Sequence, residues 1–200
     1  KYIRSRGGEP NFKNYNGFPA TACISINNEV IHGIPSAKRV IKAGDIVSVD
    51  LGAKFNGYHG DNAATFACGD VSEEAKRLMQ VTKDALYEGI KAATAGSRIG
   101  DISSAVQRTV EEAGFSVVRQ YVGHGIGTQL HEAPEVPNFG TAGRGIRLLP
   151  GMTLAIEPMV NAGGYDVKVL PDGWTVLTKD GSLSAHFEHT VVITPDGPKI

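Results

Sequence analysis

Four acidic residues interrupt stretches of the sequence that otherwise have the pattern of buried strands, where an unpaired carboxylate is costly. Asp50 lies within IVSVDL, and Asp61 follows it beyond a Gly-rich turn, at the entrance of NAATFA. Glu157 lies within TLAIEPMV, and Glu188 lies within HFEHTVVI. Lysine and arginine are nearly absent from these stretches, and Lys54 is the nearest. A fold built from this sequence must therefore accommodate several carboxylates without local ion pairs.

A metal site is one way to accommodate these four acids. Each of them alone could instead pair with a distant arginine or accept backbone hydrogen bonds. Four carboxylates brought together would repel and take up protons, whereas bound cations would neutralise them. Their charge suffices for two divalent ions, and ions about 3.5–4 Å apart are a recurrent hydrolytic device. The donors favour Mn²⁺, Fe²⁺ or Co²⁺ and allow Zn²⁺. The residue chemistry alone leaves both explanations open.

Three of the six histidines lie in glycine-containing segments and not in apolar stripes. His124 and His131 are seven residues apart in GHGIGTQLHEAPE, and His32 follows an apolar run in VIHGIPS. Such a histidine is more often a hydrogen-bonding residue than a ligand, but imidazole is common in catalytic metal sites, which favours His124. The segment HEAPE lacks the second histidine of HExxH, which excludes the zincin pattern. The other histidines are expected to be structural or to face solvent: His59, His186 and His189.

Composition and charge exclude several classes of protein. The chain has 200 residues, 41% hydrophobic and 20% charged, which is typical of one domain or of two related halves sharing a core. A formal net charge of −1 gives no basis for nucleic-acid specificity. No apolar run approaches the roughly 20 residues that span a bilayer, so no membrane association is expected. Cys23 and Cys68 are too few for a disulfide framework, and we expect reduced thiols and a cytoplasmic location.

Hydrophobic periodicity predicts two amphipathic helices in the middle of the chain. They span residues 72–93 and 101–113, with Asp70 or Ser72 capping the first and Gly114 ending the second. Strands are predicted on both sides of them, at 21–26, 46–54, 62–67, 117–122, 152–160, 174–178 and 186–193. This order of elements predicts an α+β fold with the helices packed on a mixed sheet. A rough mirror symmetry about the centre of the chain indicates two related halves.

Several ordered motifs resemble those of the type I methionine aminopeptidases. They are CISINNEVIHGIPS, GDIVSVDLGAKFNGYHGD, GHGIG followed by HEAP, AIEPMVN, DGWTV and SLSAHFEHTVVI. The resemblance runs from about Tyr15 to Thr194. It implies the pita-bread fold, in which two pseudo-symmetric halves pack their helices on a curved, mostly antiparallel sheet. It also implies a single catalytic domain over residues 1–200, without the N-terminal segment that usually precedes it in the family.

The resemblance implies a centre that holds two divalent ions (Co, Mn, Fe or Zn). Carried over by motif, the metal ligands are Asp50, Asp61, His124, Glu157 and Glu188. Water activated by the ions would attack the first peptide bond, and Glu157 would accept and shuttle its proton. His131 would hydrogen-bond the scissile carbonyl oxygen. His32 would contact the substrate or the departing backbone nitrogen.

The resemblance also implies a pocket for a methionine side chain. Its walls would be Tyr15, Phe18, Cys23, Leu130 and Trp174, and aromatic and sulfur groups suit a polarisable thioether. Leu130 departs from the family pattern, which often has Phe before the histidine. The expected substrate is a peptide or nascent chain that begins with methionine and has a small second residue, which makes the ribosome a candidate partner. A monomer is expected.

Two alternatives are carried alongside this interpretation. A prolidase or aminopeptidase P relative would share the fold and the ligands and would cleave X-Pro bonds, but the CISIN, HGIP and DGWTV segments resemble those enzymes less. A pita-bread module that binds peptides without catalysis is the alternative from a different class. Such modules generally lose metal ligands, so the complete set of five argues against it.

Overall fold

Short strands dominate the structure, a computed structural model that describes residues 1–200. The helices are α1 (Tyr2–Ser5), α2 (Glu73–Ala92) and α3 (Ile99–Glu112), and a 3₁₀ turn spans Tyr15–Gly17. The strands are β1 (Glu9–Pro10), β2 (Cys23–Ile26), β3 (Glu29–Ile31), β4 (Ile46–Phe55), β5 (Tyr58–Ala67), β6 (Ser116–Val117), β7 (Gly123–Gly125), β8 (Glu132–Val136), β9 (Thr153–Ile156), β10 (Met159–Asn161), β11 (Val167–Val169), β12 (Val176–Thr178), β13 (Ser184–His186), β14 (Glu188–Thr194) and β15 (Gly197–Lys199). None of the helices has the length and apolar character needed to cross a membrane.

The two long helices form where the apolar periodicity predicted them. The Ser72 side chain caps α2 by accepting a hydrogen bond from the Ala75 N–H at 3.1 Å. Helix α3 begins two residues earlier than predicted, because the Arg98 N–H donates to the Asp101 carboxylate at 2.7 Å and stabilises an earlier first turn. Gly114 follows α3 with a φ of +79°, a conformation that ends helices. Each helix buries one apolar face in the core beneath the sheet.

One large sheet and two small ones make up the β structure. The large sheet has nine strands, with the central order β1-β4-β5-β14-β9-β7-β8, while β2 pairs with β4 and β15 pairs with β14. The small sheets have the orders β13-β10-β6 and β11-β12-β3. Every strand pair is antiparallel. The mixed sheet expected from the order of elements is wrong, because α2 and α3 follow one another and no helix crosses over between parallel neighbours.

A tight hairpin joins β4 and β5. Phe55 pairs with Tyr58, and the two residues between them, Asn56 and Gly57, have φ angles of +50° and +88°. Asn-Gly with two positive φ values is the sequence preferred in a two-residue hairpin turn. The turn extends β5 back to Tyr58, four residues before the predicted strand at residue 62. As a result, Asp61 lies within a long paired strand and not at its entrance.

Two predicted strands are each divided in the structure. The predicted strand 152–160 forms β9 and β10, with Glu157 and Pro158 between them. The region predicted as strand 186–193 forms the end of β13 and β14, with Phe187 between them. In both cases the first and second pieces belong to different sheets, since β9 pairs with β14 and β10 pairs with β13. Pro158 has no N–H to donate to a ladder, which favours the first break.

Candidate active site

Five neighbouring strands of the large sheet each bring one predicted metal ligand to the same place. Asp50 lies on β4, Asp61 on β5, Glu188 at the start of β14 and His124 on β7, and Glu157 directly follows β9. These strands are adjacent in the order β4-β5-β14-β9-β7. We call these five side chains the acidic wall. The sheet therefore collects side chains that are up to 138 positions apart in the sequence, from Asp50 to Glu188.

Strand register fixes the acids on a common face. Asp50 pairs across the ladder with Ala63, and Ala63 pairs with Glu188, so the two acids flank β5 in one row. Asp61 is two residues before Ala63 and therefore shares its face. Gly52 stands opposite Asp61, and a Cβ there would lie 3.1 Å from the Asp61 Oδ1. The small residue leaves room for the carboxylate.

Hydrogen bonds from β14 hold the Asp61 segment in place. The Thr190 hydroxyl accepts from the Asp61 N–H at 2.8 Å and donates to the Asp61 carbonyl at 2.9 Å. The Asn62 side-chain amide donates to the Glu188 carbonyl at 2.7 Å. These bonds tie β5 to β14 at the level of the two acids. The relative positions of Asp61 and Glu188 are consequently set by side chains as well as by the ladder.

One cavity of about 380 Å³ contains every residue that the sequence analysis assigned to the site. The twelve assigned residues that line it are Tyr15, Phe18, Cys23, His32, Asp50, Asp61, His124, Leu130, His131, Glu157, Trp174 and Glu188. Two further lining residues, Phe12 and Asn16, were not predicted. Both lie in the Gly- and Asn-rich segment that also carries Tyr15 and Phe18, and their proximity to those residues is the signal that could have identified them.

The donor atoms of three acidic-wall residues form a compact cluster. Ligand atoms of Asp61, His124 and Glu188 all lie within 4.8 Å of one another, and all three residues are buried. The His124 Nδ1 is 2.8 Å from the Gly125 carbonyl oxygen, so the ring donates on that side and leaves Nε2 as a lone-pair donor facing the cavity. The His124 Nε2 is 3.5 Å from the Glu157 Oε1. This arrangement of imidazole is the usual one for a metal ligand.

The acidic wall is strained electrostatically when only protein is present. Burial raises the pKa of Asp50, Glu157 and Glu188 well above the usual range, and the neighbouring carboxylates raise it further. Burial raises the pKa of Asp61 to about 7. Burial lowers the pKa of His124, which keeps its ring neutral. Neutral imidazole and carboxylates close together are the protonation states and the chemistry that a divalent cation requires.

The unpaired Asp50 carboxylate oxygen and the absence of basic residues from the cavity lining also fit a metal centre. The Asp50 Oδ1 is buried and has no hydrogen-bond partner in the protein, although buried carboxylate oxygens are normally satisfied. None of the fourteen lining residues is lysine or arginine, so no protein cation neutralises the acids from within the cavity. Together with the ligand cluster, this orphaned oxygen supports the use of divalent metal.

His131 and His32 lie beside the acidic wall. The Tyr15 hydroxyl is 2.8 Å from the His131 Nδ1, and the His131 ring centroid is 4.2 Å from that of His124. Partial burial and the nearby His124 lower the pKa of His131 to about 4. His32 is held in a left-handed conformation with a φ of +59°, and burial lowers its pKa to about 4. Both rings are therefore neutral near pH 7.

Another part of the cavity lining is apolar. Phe18, Cys23 and Leu130 are buried there, and the half-buried Trp174 contacts Phe18 edge-on with ring centroids 5.1 Å apart. We call these four residues the apolar wall. Burial and the charges of the nearby acids raise the pKa of the Cys23 thiol, so the thiol stays protonated. Cys23 accordingly behaves as a small apolar group and not as a nucleophile, in agreement with the prediction that it lines the pocket.

The three remaining histidines have different environments. His59 is half-buried and its Nδ1 is 3.0 Å from the Asn11 Oδ1, and His189 contacts Asn62 on the outer face of the sheet. His186 is 2% exposed, so it does not face solvent. Its Nε2 is 3.6 Å from the Glu157 Oε2, directly behind the cavity. Sequence pattern gave no signal for this contact.

Comparison with known proteins defines the class of protein to which this site belongs. The model of metallopeptidase family M24 matches residues 1–195. The chain therefore belongs to metallopeptidase family M24. Within that family, it is 56% identical over 199 residues to the methionine aminopeptidase of Clostridium acetobutylicum, covering 100% of this chain and 80% of that one. It is 54% identical over 197 residues to methionine aminopeptidase 1 of Bacillus subtilis, covering 98% and 79%.

Solved structures agree with the sequence relatives. The methionine aminopeptidase of Thermotoga maritima superposes with a TM-score of 0.97 at 50% identity, over 99% of this chain and 80% of that one. A prolidase from Pyrococcus furiosus gives a TM-score of 0.68 at 26% identity, over 89% and 47%. The predicted pita-bread α+β fold is confirmed, and so is the predicted resemblance to methionine aminopeptidases. The same comparison favours that type of enzyme over the prolidase alternative.

Proposed function

We propose that this chain removes N-terminal methionine from peptides and nascent proteins and prefers a small second residue. The observation that carries the proposal is one cavity of about 380 Å³ that is lined by both the acidic wall and the apolar wall. Hydrolysis needs the first wall, and selection of an apolar first side chain needs the second. The methionine aminopeptidases that share more than half of this sequence support the choice of methionine.

In this proposal the acidic wall holds two divalent ions. The ligands are Asp50, Asp61, His124, Glu157 and Glu188, and their oxygen and imidazole donors suit Mn²⁺, Fe²⁺, Co²⁺ or Zn²⁺. Four carboxylates match the charge of two such ions, which would offset the burial that raises all four pKa values and the repulsion that raises those of Asp50, Glu157 and Glu188 further. When bound, the ions supply Lewis acidity and lower the pKa of water towards neutrality.

Glu157 is the proposed proton acceptor. It follows the last residue of β9, where its carbonyl accepts a hydrogen bond from the Asn138 side-chain amide at 3.1 Å. This bond fixes the backbone at the strand end, while the carboxylate reaches the cavity. Glu157 takes the proton of the attacking water and delivers it to the departing amide nitrogen, as a carboxylate with a raised pKa can do.

His131 is the proposed donor to the scissile carbonyl oxygen. In this role the His131 Nδ1 accepts from the Tyr15 hydroxyl, 2.8 Å away, and the ring proton is on Nε2. From there it can stabilise the negative charge that develops on the carbonyl oxygen. His32 also lines the cavity, with its ring centroid 6.2 Å from that of Trp174, and is proposed to contact the substrate or its departing nitrogen.

The apolar wall is the proposed methionine pocket. Phe18 and Trp174 meet edge-on, and Leu130 and Cys23 complete the surface, while Tyr15 borders it. An unbranched thioether adapts to such a surface and gains from contact with aromatic rings and sulfur. Burial of an apolar side chain of this size stabilises binding by about 1.5–3 kcal/mol.

The setting in which the enzyme works is also a proposal. We infer that residues 1–200 form a single catalytic domain, since the cavity draws on residues from Phe12 to Glu188. We further infer a monomer that acts in the cytoplasm on chain ends emerging from the ribosome. The free thiols of Cys23 and Cys68 support a reducing compartment.

The decisive experiment is release of methionine from Met-Ala-Ser across Mn²⁺, Fe²⁺, Co²⁺ and Zn²⁺, with and without a chelator. Metal-dependent release is expected, with loss of activity in Asp50→Ala and normal activity in Asp166→Ala, which removes an exposed acid outside the cavity. Faster hydrolysis of an X-Pro peptide would support the prolidase alternative. Binding without cleavage, unchanged by Asp50→Ala, would support the peptide-binding module.

A further inference from the structure

A buried imidazole lies immediately behind the proposed proton acceptor. His186 is 2% exposed, and its Nε2 has no hydrogen-bond partner in the protein. The nearest acid is Glu157, whose Oε2 lies 3.6 Å from that nitrogen. A buried donor normally has a hydrogen-bond partner, because leaving one unpaired is costly. The Glu157 Oε2 is therefore the acceptor available to the unpaired His186 Nε2.

The backbone around this imidazole is held tightly. The Thr65 hydroxyl accepts from the His186 N–H at 2.9 Å and donates to the His186 carbonyl at 2.9 Å. The Ser48 hydroxyl is 2.8 Å from the same Thr65 oxygen. All three residues are buried, and they lie on β4, β5 and β13. The network fixes the point from which the ring extends towards Glu157.

Glu157 lies between two imidazole nitrogens. Its Oε1 is 3.5 Å from the His124 Nε2, and its Oε2 is 3.6 Å from the His186 Nε2. His124 uses its Nδ1 on a backbone carbonyl, so its Nε2 carries a lone pair and cannot donate to Glu157. His186 is free to be the donor. A donor on Oε2 would orient the carboxylate so that Oε1 points to the cavity.

We propose that His186 is a positioning residue for the reaction: its Nε2–H donates to the Glu157 Oε2 and fixes the orientation of that carboxylate. The proposal rests on the proposed function only for its kinetic consequence, because the contact itself exists independently of the substrate. His186 is absent from the cavity lining, so it acts through Glu157 and does not contact the substrate. Loss of such an outer partner typically costs about 10–100-fold in activity.

The test compares two variants with a matched control. His186→Leu keeps the bulk and removes the donor, whereas His186→Gln retains an N–H donor at a similar reach. We expect His186→Leu to lower kcat for Met-Ala-Ser by about 10–100-fold, with KM little changed and full metal content. His186→Gln should restore most of kcat. His189→Leu removes a histidine on the outer face and should behave like the wild type.

A second readout uses the Zn²⁺-loaded protein, because without metal the raised pKa of Glu157 would leave its carboxyl protonated and able to donate. Long-range nitrogen–proton NMR of the imidazoles, with His186 assigned by its absence in His186→Gln, should show the ring proton on Nε2. A proton on Nδ1 would overturn the proposal. Equal loss of kcat in the Leu and Gln variants, or full activity in the Leu variant, would also overturn it. Wild-type protein that leaves Met-Ala-Ser uncleaved would instead defeat the proposed function, and the NMR result would still decide the contact.

Discussion

The acidic wall and the apolar wall of the cavity are assembled by different parts of the fold. The acidic wall comes from five adjacent strands, and ladder hydrogen bonds fix its side chains. Most of the apolar wall comes from connecting segments, with Phe18, Leu130 and Trp174 outside any strand and only Cys23 on β2. One wall is rigid because moving it would break a sheet, and the other can change with little effect on the sheet.

This difference indicates how the two tasks of the enzyme are separated. Substitutions in the acidic wall should remove chemistry and leave the pocket in place. Substitutions in the apolar wall should alter substrate affinity and leave metal binding in place. The departure at Leu130 fits this division, because a change from the family pattern lies in a loop and not on a strand.

The largest effect that tests the division between the acidic wall and the apolar wall is expected at Asp61. Asp61→Ala removes a member of the donor cluster, and Glu188→Ala removes another, so we expect loss of metal and a fall in activity of at least about 10³-fold. The fold should be retained, because the strand ladders do not depend on either side chain. Metal analysis and circular dichroism provide the measurements. Unchanged metal occupancy in both variants would defeat the ligand assignment.

A smaller effect is expected at the boundary between the walls. His131→Ala removes the proposed donor to the carbonyl oxygen, which should lower kcat by about 10²–10³-fold. Metal content should remain at the wild-type level, since His131 is not among the clustered ligand atoms. Steady-state kinetics with parallel metal analysis separates the two effects. Loss of metal in this variant would place His131 in the acidic wall and break the division.

A substitution in the apolar wall should raise KM. Trp174→Ala removes the edge-on contact with Phe18 and a large part of the pocket surface. We expect KM for Met-Ala-Ser to rise by about 10- to 150-fold, as loss of about 1.5–3 kcal/mol of apolar burial predicts. Metal content should be unaffected, and kcat should change much less than KM. Tyr2→Ala, at an exposed ring that does not line the cavity, is the matched control.

The smallest effect concerns the pH dependence of stability in the metal-free protein. The pKa of Asp61 is raised to about 7 by burial, so the folded state binds more protons than the unfolded state near neutral pH. The histidines of the unfolded chain, with a pKa of about 6.5, are mostly neutral only above about pH 7.5. Above that pH the free energy of unfolding should therefore fall as pH rises, by about 1.4 kcal/mol per pH unit for each extra proton that the folded state binds.

Chemical denaturation at several pH values measures this slope. Asp61→Asn removes a titrating group of the acidic wall and should flatten the slope, while Trp174→Ala should preserve it. Saturating Mn²⁺ should reverse the trend, because the ions compete with protons for the same carboxylates. A metal-free protein that gains stability between about pH 7.5 and about 8.5 would contradict the raised pKa values.

The local sequence pattern was sufficient to predict the helices and the buried acids, but not the divided strands or all of the cavity residues. The helices followed from apolar periodicity, and the acids were conspicuous because carboxylates are rare in apolar runs. The divisions at Glu157 and Phe187 could not be predicted, because they depend on which distant strands pair with each half. Asn16 and Phe12 carry no chemical signal of their own and enter the cavity only because their loop packs against it.

The contact between His186 and Glu157 could not be predicted from the sequence for a different reason. Its sequence position, two residues before Glu188, places both side chains on the same face of an uninterrupted strand. The break at Phe187 changes that geometry, and the ring is packed behind Glu157. Only the pairing of β13 with β10 reveals this neighbour, since the contact joins residues 29 positions apart, from 157 to 186.

The distribution of the five acidic-wall residues over five adjacent strands has a consequence for how the protein matures. Because side chains alternate, a shift of one residue in any of these strands would turn its ligand to the opposite face of the sheet. A chain with a misaligned strand could then be compact and still fail to retain metal. Uptake of the ions would thus act as a proofreading step that distinguishes correctly aligned molecules from near-native ones, and bound metal would hold the five strands in alignment thereafter.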